Sequence, residues 1–472
     1  MKGRPRHTPR PRRAAAFRPP SAWEDARRAA ASLSVLRGVL DAPPGRAWLE
    51  VVERVTAPAP DPDRVAEAYG RLFTLLAGEA EFAAEPLVGD AWQHHLLGRL
   101  LDDENPFSLK AERAGWAEIG PALLAQTRAD LGALERCHRL SGTAIVHAAS
   151  SLAGITPTAW DAFRPLGAPR DRSARHRMMQ RLHAARDWPA VVRDLASYFA
   201  RTGVGLFGRH RAFRWARADG RGRLEGVPAP DPVRLDDLVG YELERQPVLE
   251  NTRQFVAGAA ANNVLLYGDR GTGKSSTVKA LLNEFHAEGL RLIEVAKEHL
   301  GDYPEIIARV RGRRERFILF VDDLSFEEHE TQYKALKAAL EGSLEARPGN
   351  VALYATSNRR HLVTERFVDR QKASLDDEVH PEDSAQEKLS LADRFGIHAP
   401  FLIPDQDRYL EIVEGLAVRY GLPLPARELR HRALLWSQWH NGRSCRTARQ
   451  FVDALLGETI LAAPRTRRQS DG

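Results

Sequence analysis

The segment Val264-Leu265-Leu266-Tyr267-Gly268-Asp269-Arg270-Gly271-Thr272-Gly273-Lys274-Ser275-Ser276 constrains this chain more than any other, because a strand-like apolar run empties directly into G-x-x-x-x-G-K-S. Glycines at these spacings let the backbone fold tightly around an anion, so that successive N–H groups point inward at phosphates. Lys274 adds a point charge, and the Ser275 hydroxyl is placed to ligate a magnesium ion bridging the outer phosphates. The helix that starts there turns its positive dipole end toward the same anion. Apolar residues at helical spacing through Val278, Leu281, Leu282 and Phe285 supply the strand-loop-helix context that the motif requires. Residues 268–276 are therefore expected to bind a nucleotide.

Downstream, Phe317-Ile318-Leu319-Phe320-Val321 runs apolar before Asp322-Asp323. An apolar run without alternation suits a parallel strand buried on both faces, with the acids at its C-terminal end beside the P-loop. In this Walker B reading Asp322 holds magnesium and Asp323 orients or deprotonates the attacking water, with Glu327 or Glu328 within reach of the second role. Leu290–Val295 reads as an intervening strand, followed by a short helix through Ile306 and Val310. Residues 331–344 read as helix, and Asn350–Thr356 as a further buried strand ending at Ser357-Asn358.

Several of these segments resemble AAA+ ATPases. Asn358 resembles the sensor-1 polar residue that holds the attacking water. Leu389-Ser390-Leu391-Ala392-Asp393-Arg394-Phe395-Gly396 is similar to the segment carrying the arginine finger, with Arg394 as the finger. Gly442-Arg443-Ser444-Cys445-Arg446-Thr447 resembles the sensor-2 start of a lid helix, and Arg446 is the candidate, with Arg443 and Arg449 as alternatives. The wording of Leu238-Val239-Gly240-Tyr241-Glu242, Asn251-Thr252, Asn262-Asn263-Val264, Thr356-Ser357-Asn358-Arg359-Arg360 and Glu387-Lys388-Leu389-Ser390 is similar to the ATP-binding family catalogued as domain of unknown function 815, over roughly residues 205–460. The resemblance implies an ATP site using magnesium, with Val239, Gly240 and Tyr241 near the adenine base. The family pattern carries Gly where this chain has Cys445.

The implied fold is α/β: a P-loop AAA+ module with a parallel sheet flanked by helices, a C-terminal helical lid and an all-α N-terminal domain. The expected organisation is a disordered basic tail (1–20), the all-α domain (21–203), a hairpin and Pro-rich linker (204–233), the nucleotide-binding domain (234–404), the lid (405–462) and a second disordered tail (463–472). Turn clusters at Asp41-Ala42-Pro43-Pro44-Gly45 and Ala59-Pro60-Asp61-Pro62 punctuate the helical region. An acid-rich loop is expected over 372–387.

Net charge is +6, yet Lys2, Arg4, Arg6, Arg10, Arg12, Arg13 and Arg18 supply seven positives in the first twenty residues, which leaves the body one charge negative. The body therefore has no basic character that would recommend nucleic acid as a partner. Two cysteines, Cys137 and Cys445, form neither a disulfide framework nor a metal spacing, and no apolar window is long enough for a membrane span. A reducing, cytoplasmic location is expected. His94 and His95 point in different directions on a helix and lack a third ligand.

The activity expected is magnesium-dependent ATP hydrolysis by a homo-oligomer, driving a conformational change on an unidentified client protein. Two alternatives stand beside it: a nucleotide-switched adaptor with little turnover, kept open by Asp323 where a longer Glu is common, and a DNA-associated loader or remodeler.

Overall fold

The computed structural model describes residues 20–158, 160, 162–166, 173–218, 220–324, 347–358, 394–440 and 442–462. The helix expected over 331–344, Glu327, Glu328, the loop over 372–387 and both tails expected to be disordered (apart from Pro20) lie outside them. The chain divides into two compact units, 1–209 and 210–472.

The first unit is all helical among its described residues. Its core stacks Trp48 on Trp92, with ring centroids 4.6 Å apart and planes 5° from parallel. The Pro43-Pro44-Gly45 cluster is not a turn but the first turn of the helix Pro43–Val55. Proline is well suited there, because its missing N–H would have no helical partner in any case. Asp61 does act as a boundary: its carboxylate caps the helix Pro62–Glu81 by accepting from the Asp63 and Arg64 amides. His95 faces Glu79 at 2.6 Å, and no metal cluster occurs among the described residues.

The second unit is built on a seven-stranded sheet: β1 (Ala212–Ala218), β2 (Arg221–Gly226), β3 (Val264–Gly268), β4 (Leu290–Glu294), β5 (Arg316–Val321), β6 (Val351–Ser357) and β7 (Ile397–Phe401). Their order is β2-β1-β4-β5-β6-β3-β7, with every pairing parallel except β1 with β2. Helices α1 (Glu242–Val256), α2 (Lys274–Phe285) and α3 (Tyr303–Val310) accompany the sheet, and α4 (Gln406–Arg419), α5 (Ala426–Trp439) and α6 (Cys445–Ala462) follow it. β5 and β6 are buried almost throughout, as expected of parallel strands covered on both faces.

Two features tie the hairpin and linker expected over 204–233 to the rest of the second unit. The β1–β2 hairpin is part of the sheet, since β1 pairs in parallel with β4 from Ala212↔Leu292 to Arg214↔Glu294. Trp215, 1% exposed, is anchored by its indole N–H to Asp302 at 2.9 Å. The stretch after the hairpin is tied to α2, because the Asn283 amide donates to the Asp231 and Val233 carbonyls at 2.8 and 2.6 Å.

Several residues that carried the family resemblance join α1 to the sheet. The Asn251 amide donates to Asn262 O and to the Tyr354 hydroxyl, both at 3.0 Å, and its carbonyl accepts from Asn262 N at 2.9 Å. The Thr252 hydroxyl meets the same tyrosine oxygen at 2.8 Å, and Asn263 Oδ1 accepts from Leu353 N at 3.0 Å. Buried polar groups in such a network are costly to orphan. Asn251→Ala is expected to destabilise the second unit by about 1–3 kcal/mol, read as a fall of several degrees in its thermal unfolding midpoint.

Candidate functional site: a cavity at the strand ends

The C-terminal ends of β3, β5 and β6 open into a cavity of about 680 Å³. β6 lies between the P-loop strand β3 and the acid-bearing strand β5, so its last residues reach both. Gly268 suits its position twice over: its φ of +131° is one that side-chain-bearing residues rarely adopt, and a Cβ there would lie 2.2 Å from Phe401 O. The loop is then pinned to the end of β7, with Asp269 N donating to Phe401 O at 3.0 Å and Ile403 N to Asp269 Oδ2 at 2.9 Å.

Lys274 is 5% exposed, and its ammonium donates to Gly268 O at 3.0 Å and Asp269 O at 2.6 Å. Burial lowers its pKa to about 8, against the pull of Asp269, Asp323 and Asp322. The Ser275 hydroxyl donates to Asp322 Oδ1 at 2.6 Å. These hard oxygens face the cavity and suit a magnesium ion in chemical type. Asp323 adopts φ +53°, a left-handed conformation costing about 1 kcal/mol for a non-glycine residue, with aspartate among the types that tolerate it. Its Oδ1 accepts from the Asn358 amide at 2.5 Å.

The remaining candidates divide. Arg270, Gly271, Thr272, Gly273, Lys274, Ser275, Ser276, Val239 and Tyr241 line the cavity, whereas Gly268, Asp269 and Gly240 stand outside its wall as supports. Gly240 is packed where a Cβ would come within 3.1 Å of Ile412. Tyr241 is 1% exposed; its ring stacks on Phe401 and lies 4.1 Å from the Arg408 guanidinium, which Glu244 holds at 2.8 Å. Its hydroxyl donates to Leu402 O. Burial and neighbouring acids raise the pKa of that phenol.

Of the three arginines expected at the start of the lid helix, Arg446 and Arg449 line the cavity and Arg443 does not. Arg449 is committed to Asp453 at 2.9 Å and to Tyr420, while no described residue pairs with the Arg446 guanidinium. The start of α6 rests on the P-loop itself: Arg446 N donates to Gly271 O at 3.0 Å, and the Cys445 thiol lies 3.5 Å from Thr272 O. Cys445 thus occupies the position where glycine was expected, and burial raises its pKa to about 11. Arg394 does not join this cavity. β7 runs parallel to β3 with Phe401 level with Gly268, and Arg394 precedes the opposite end of β7, so the strand alone places about 13 Å between them.

The sequence reading missed Thr356, Arg245, Ile412 and Leu416, which also line the cavity. Ile412 and Leu416 were legible as an i, i+4 apolar pair in the lid. Arg245, whose guanidinium donates to Gly240 O at 2.5 Å, gives no local signal. Thr356 does, as a polar residue at the end of a buried strand.

Residues 208–459, just over half of the chain, match the family described as "Protein of unknown function (DUF815)". The chain belongs to that family, and its second unit is an AAA+ P-loop module. Among curated proteins it is 25% identical over 205 residues to a 26S proteasome regulatory subunit homolog of Methanocaldococcus jannaschii, covering 41% of this chain and 51% of that protein. It is 28% identical over 120 residues to proteasome-activating nucleotidase 2 of Haloferax volcanii, covering 22% and 29%. The chain thus spans about half or less of the length of these relatives. Among solved structures, Thermotoga maritima RuvB R170A matches at 16% identity with a TM-score of 0.34, over 49% of this chain and 66% of that one. The RuvB K64R mutant matches at 17% and 0.34, over 49% and 67%. No described helix is long and apolar enough to cross a membrane.

The lowered pKa of Lys274 has a definite consequence for this DUF815 protein. A phosphate held by Lys274 would require its ammonium form, whose pKa burial lowers to about 8, so binding above that pH would take up a proton. Nucleotide affinity is expected to be flat below pH 8 and to fall up to about tenfold per unit above it, as calorimetric titration at pH 7, 8 and 9 would register.

Proposed function

We propose that this protein binds ATP with magnesium and hydrolyses the terminal phosphate. The observation that carries the reading is the convergence on one cavity of Lys274, the Ser275–Asp322 pair and the Asp323–Asn358 pair. Residues 270–276 cradle the phosphates with backbone amides, and Lys274 leaves its carbonyl partners to meet the outer phosphates. Ser275 and Asp322 would hold magnesium, which supplies positive charge against the phosphate oxygens. Asp323 accepts the proton of the attacking water on the carboxylate oxygen that Asn358 does not occupy. Asn358 keeps that acid aimed and offers its amide to the same water. Val239, Tyr241 and the lid residues Ile412 and Leu416 form the apolar side on which a base would rest.

Arg446 approaches the outer phosphates from the lid. The position of Arg394 before the end of β7 opposite the cavity supports a role at the site of a neighbouring copy, with an arginine inserted across a subunit boundary and a homo-oligomer as the active form. The names of the two curated relatives favour a protein client over nucleic acid, and the near-neutral body agrees.

Magnesium-dependent turnover is expected in the wild type and lost by at least ~100-fold in Lys274→Ala and Asp323→Asn, with Asp323→Asn still binding ATP. Tight binding without turnover in the wild type would overturn hydrolysis in favour of a nucleotide switch. Mixing Arg394→Ala with Lys274→Ala chains is expected to restore part of the turnover that each lacks alone. No recovery in mixtures shown to co-assemble would rule out the shared site.

A further inference from the structure

The register of β5 with β6 ends at Val321↔Ala355, and the next residue on β6 is Thr356, 1% exposed. Beyond that register the acid-bearing turn is held by Thr356. Leu324 N donates to Thr356 O at 2.7 Å. Asp323 N donates to the Thr356 hydroxyl oxygen at 2.9 Å, and that hydroxyl donates its only proton to Asp322 Oδ1 at 2.5 Å. A threonine hydroxyl has one proton to give and lone pairs to receive, so the two partners fix its direction. Buried as it is, water has little access to replace it.

The consequences differ for the two acids. Asp322 Oδ1 receives both Thr356 and Ser275, and no described residue donates to Oδ2. The bond from Asp323 N fixes its peptide in the left-handed conformation at φ +53°, and Asn358 takes its carboxylate from there. Asn358 lies two residues beyond Thr356 on the same strand end. The Asp322 carboxylate and the Asp323 amide therefore share one β-branched side chain, whose χ1 is stiff.

We propose that Thr356 is a positioning residue for the reaction: its hydroxyl couples the orientation of the metal-side acid Asp322 to that of the water-side acid Asp323. The inference rests on the reading of this cavity as an ATP site. Valine fills the same volume and keeps the backbone contact to Leu324, yet it removes both hydroxyl bonds. Serine keeps the hydroxyl and loses only a methyl group.

The test compares wild-type, Thr356→Val and Thr356→Ser full-length proteins in three measurements: ATP affinity in EDTA, the gain in that affinity on adding magnesium, and kcat. Thr356→Val is expected to bind ATP in EDTA within about twofold of wild type, to lose most of the magnesium-dependent gain, and to fall roughly tenfold or more in kcat. Thr356→Ser is expected to recover the larger part of both losses. A valine protein with wild-type magnesium gain and kcat would overturn the proposal. So would a serine protein as impaired as the valine one, since shape rather than the hydroxyl would then be at work, or an equal loss of affinity in EDTA, which would mean general damage to the P-loop. If Thr356→Val fails to fold, Thr356→Ala is read by the same criteria. Should the wild type bind MgATP without turning it over, hydrolysis fails as a reading, and the magnesium-dependent gain alone decides the role of Thr356. A wild type that does not bind ATP overturns both.

Discussion

Successive residues of an extended strand point to opposite faces, so the adjacent carboxylates of Asp322 and Asp323 share one cavity only because the chain turns between them, and the neighbouring strand holds that turn. The left-handed Asp323 is stable because its amide is received by Thr356, whose proton goes to Asp322. This is possible only because β6 lies between β3 and β5 and is in register with β5 up to the last pair. The same placement puts Asn358 against Asp323 and brings Ser275, at the start of α2, against Asp322. The strand order thus assembles the acids, the hydroxyl and the amide in one place.

The P-loop is held from two sides. On one, the end of β7 accepts from the Asp269 amide and leaves no room for a side chain at Gly268. On the other, the first turn of α6 donates to Gly271 O and sets a thiol against Thr272 O. Lys274 meanwhile is buried beside this loop, which lowers its pKa against the pull of Asp269, Asp323 and Asp322.

The motifs were legible where chemistry forces a local pattern. Gly-x-x-x-x-Gly-Lys-Ser has few other uses after an apolar strand, and the run into Asp322 reads as a buried parallel strand for lack of alternation. Legibility failed where one composition serves two structures. Pro43-Pro44-Gly45 reads equally as a turn or as a helix start, and the presence of a core beneath the following residues decides for the helix. The hairpin at 212–226 looks like a connector because β1 finds its parallel partner β4 more than seventy residues later. Arg443, Arg446 and Arg449 share one composition and spacing, and only the fold places Arg446 and Arg449 on the cavity wall and commits Arg449 to Asp453 and Tyr420.

By itself, the amino-acid sequence determined the glycine-rich loop after β3, the paired acids after β5, the alternation of buried strands with helices and the P-loop type of fold, because each depends on residue types at short spacing. Tertiary structure alone decided which residues join them. Thr356, Arg245, Ile412 and Leu416 enter the cavity from segments far apart in the chain, and Arg394 is carried to the opposite end of the sheet by the direction of β7. Strand order and register are properties of the packed sheet, set by which faces can be buried together, and no local pattern encodes them.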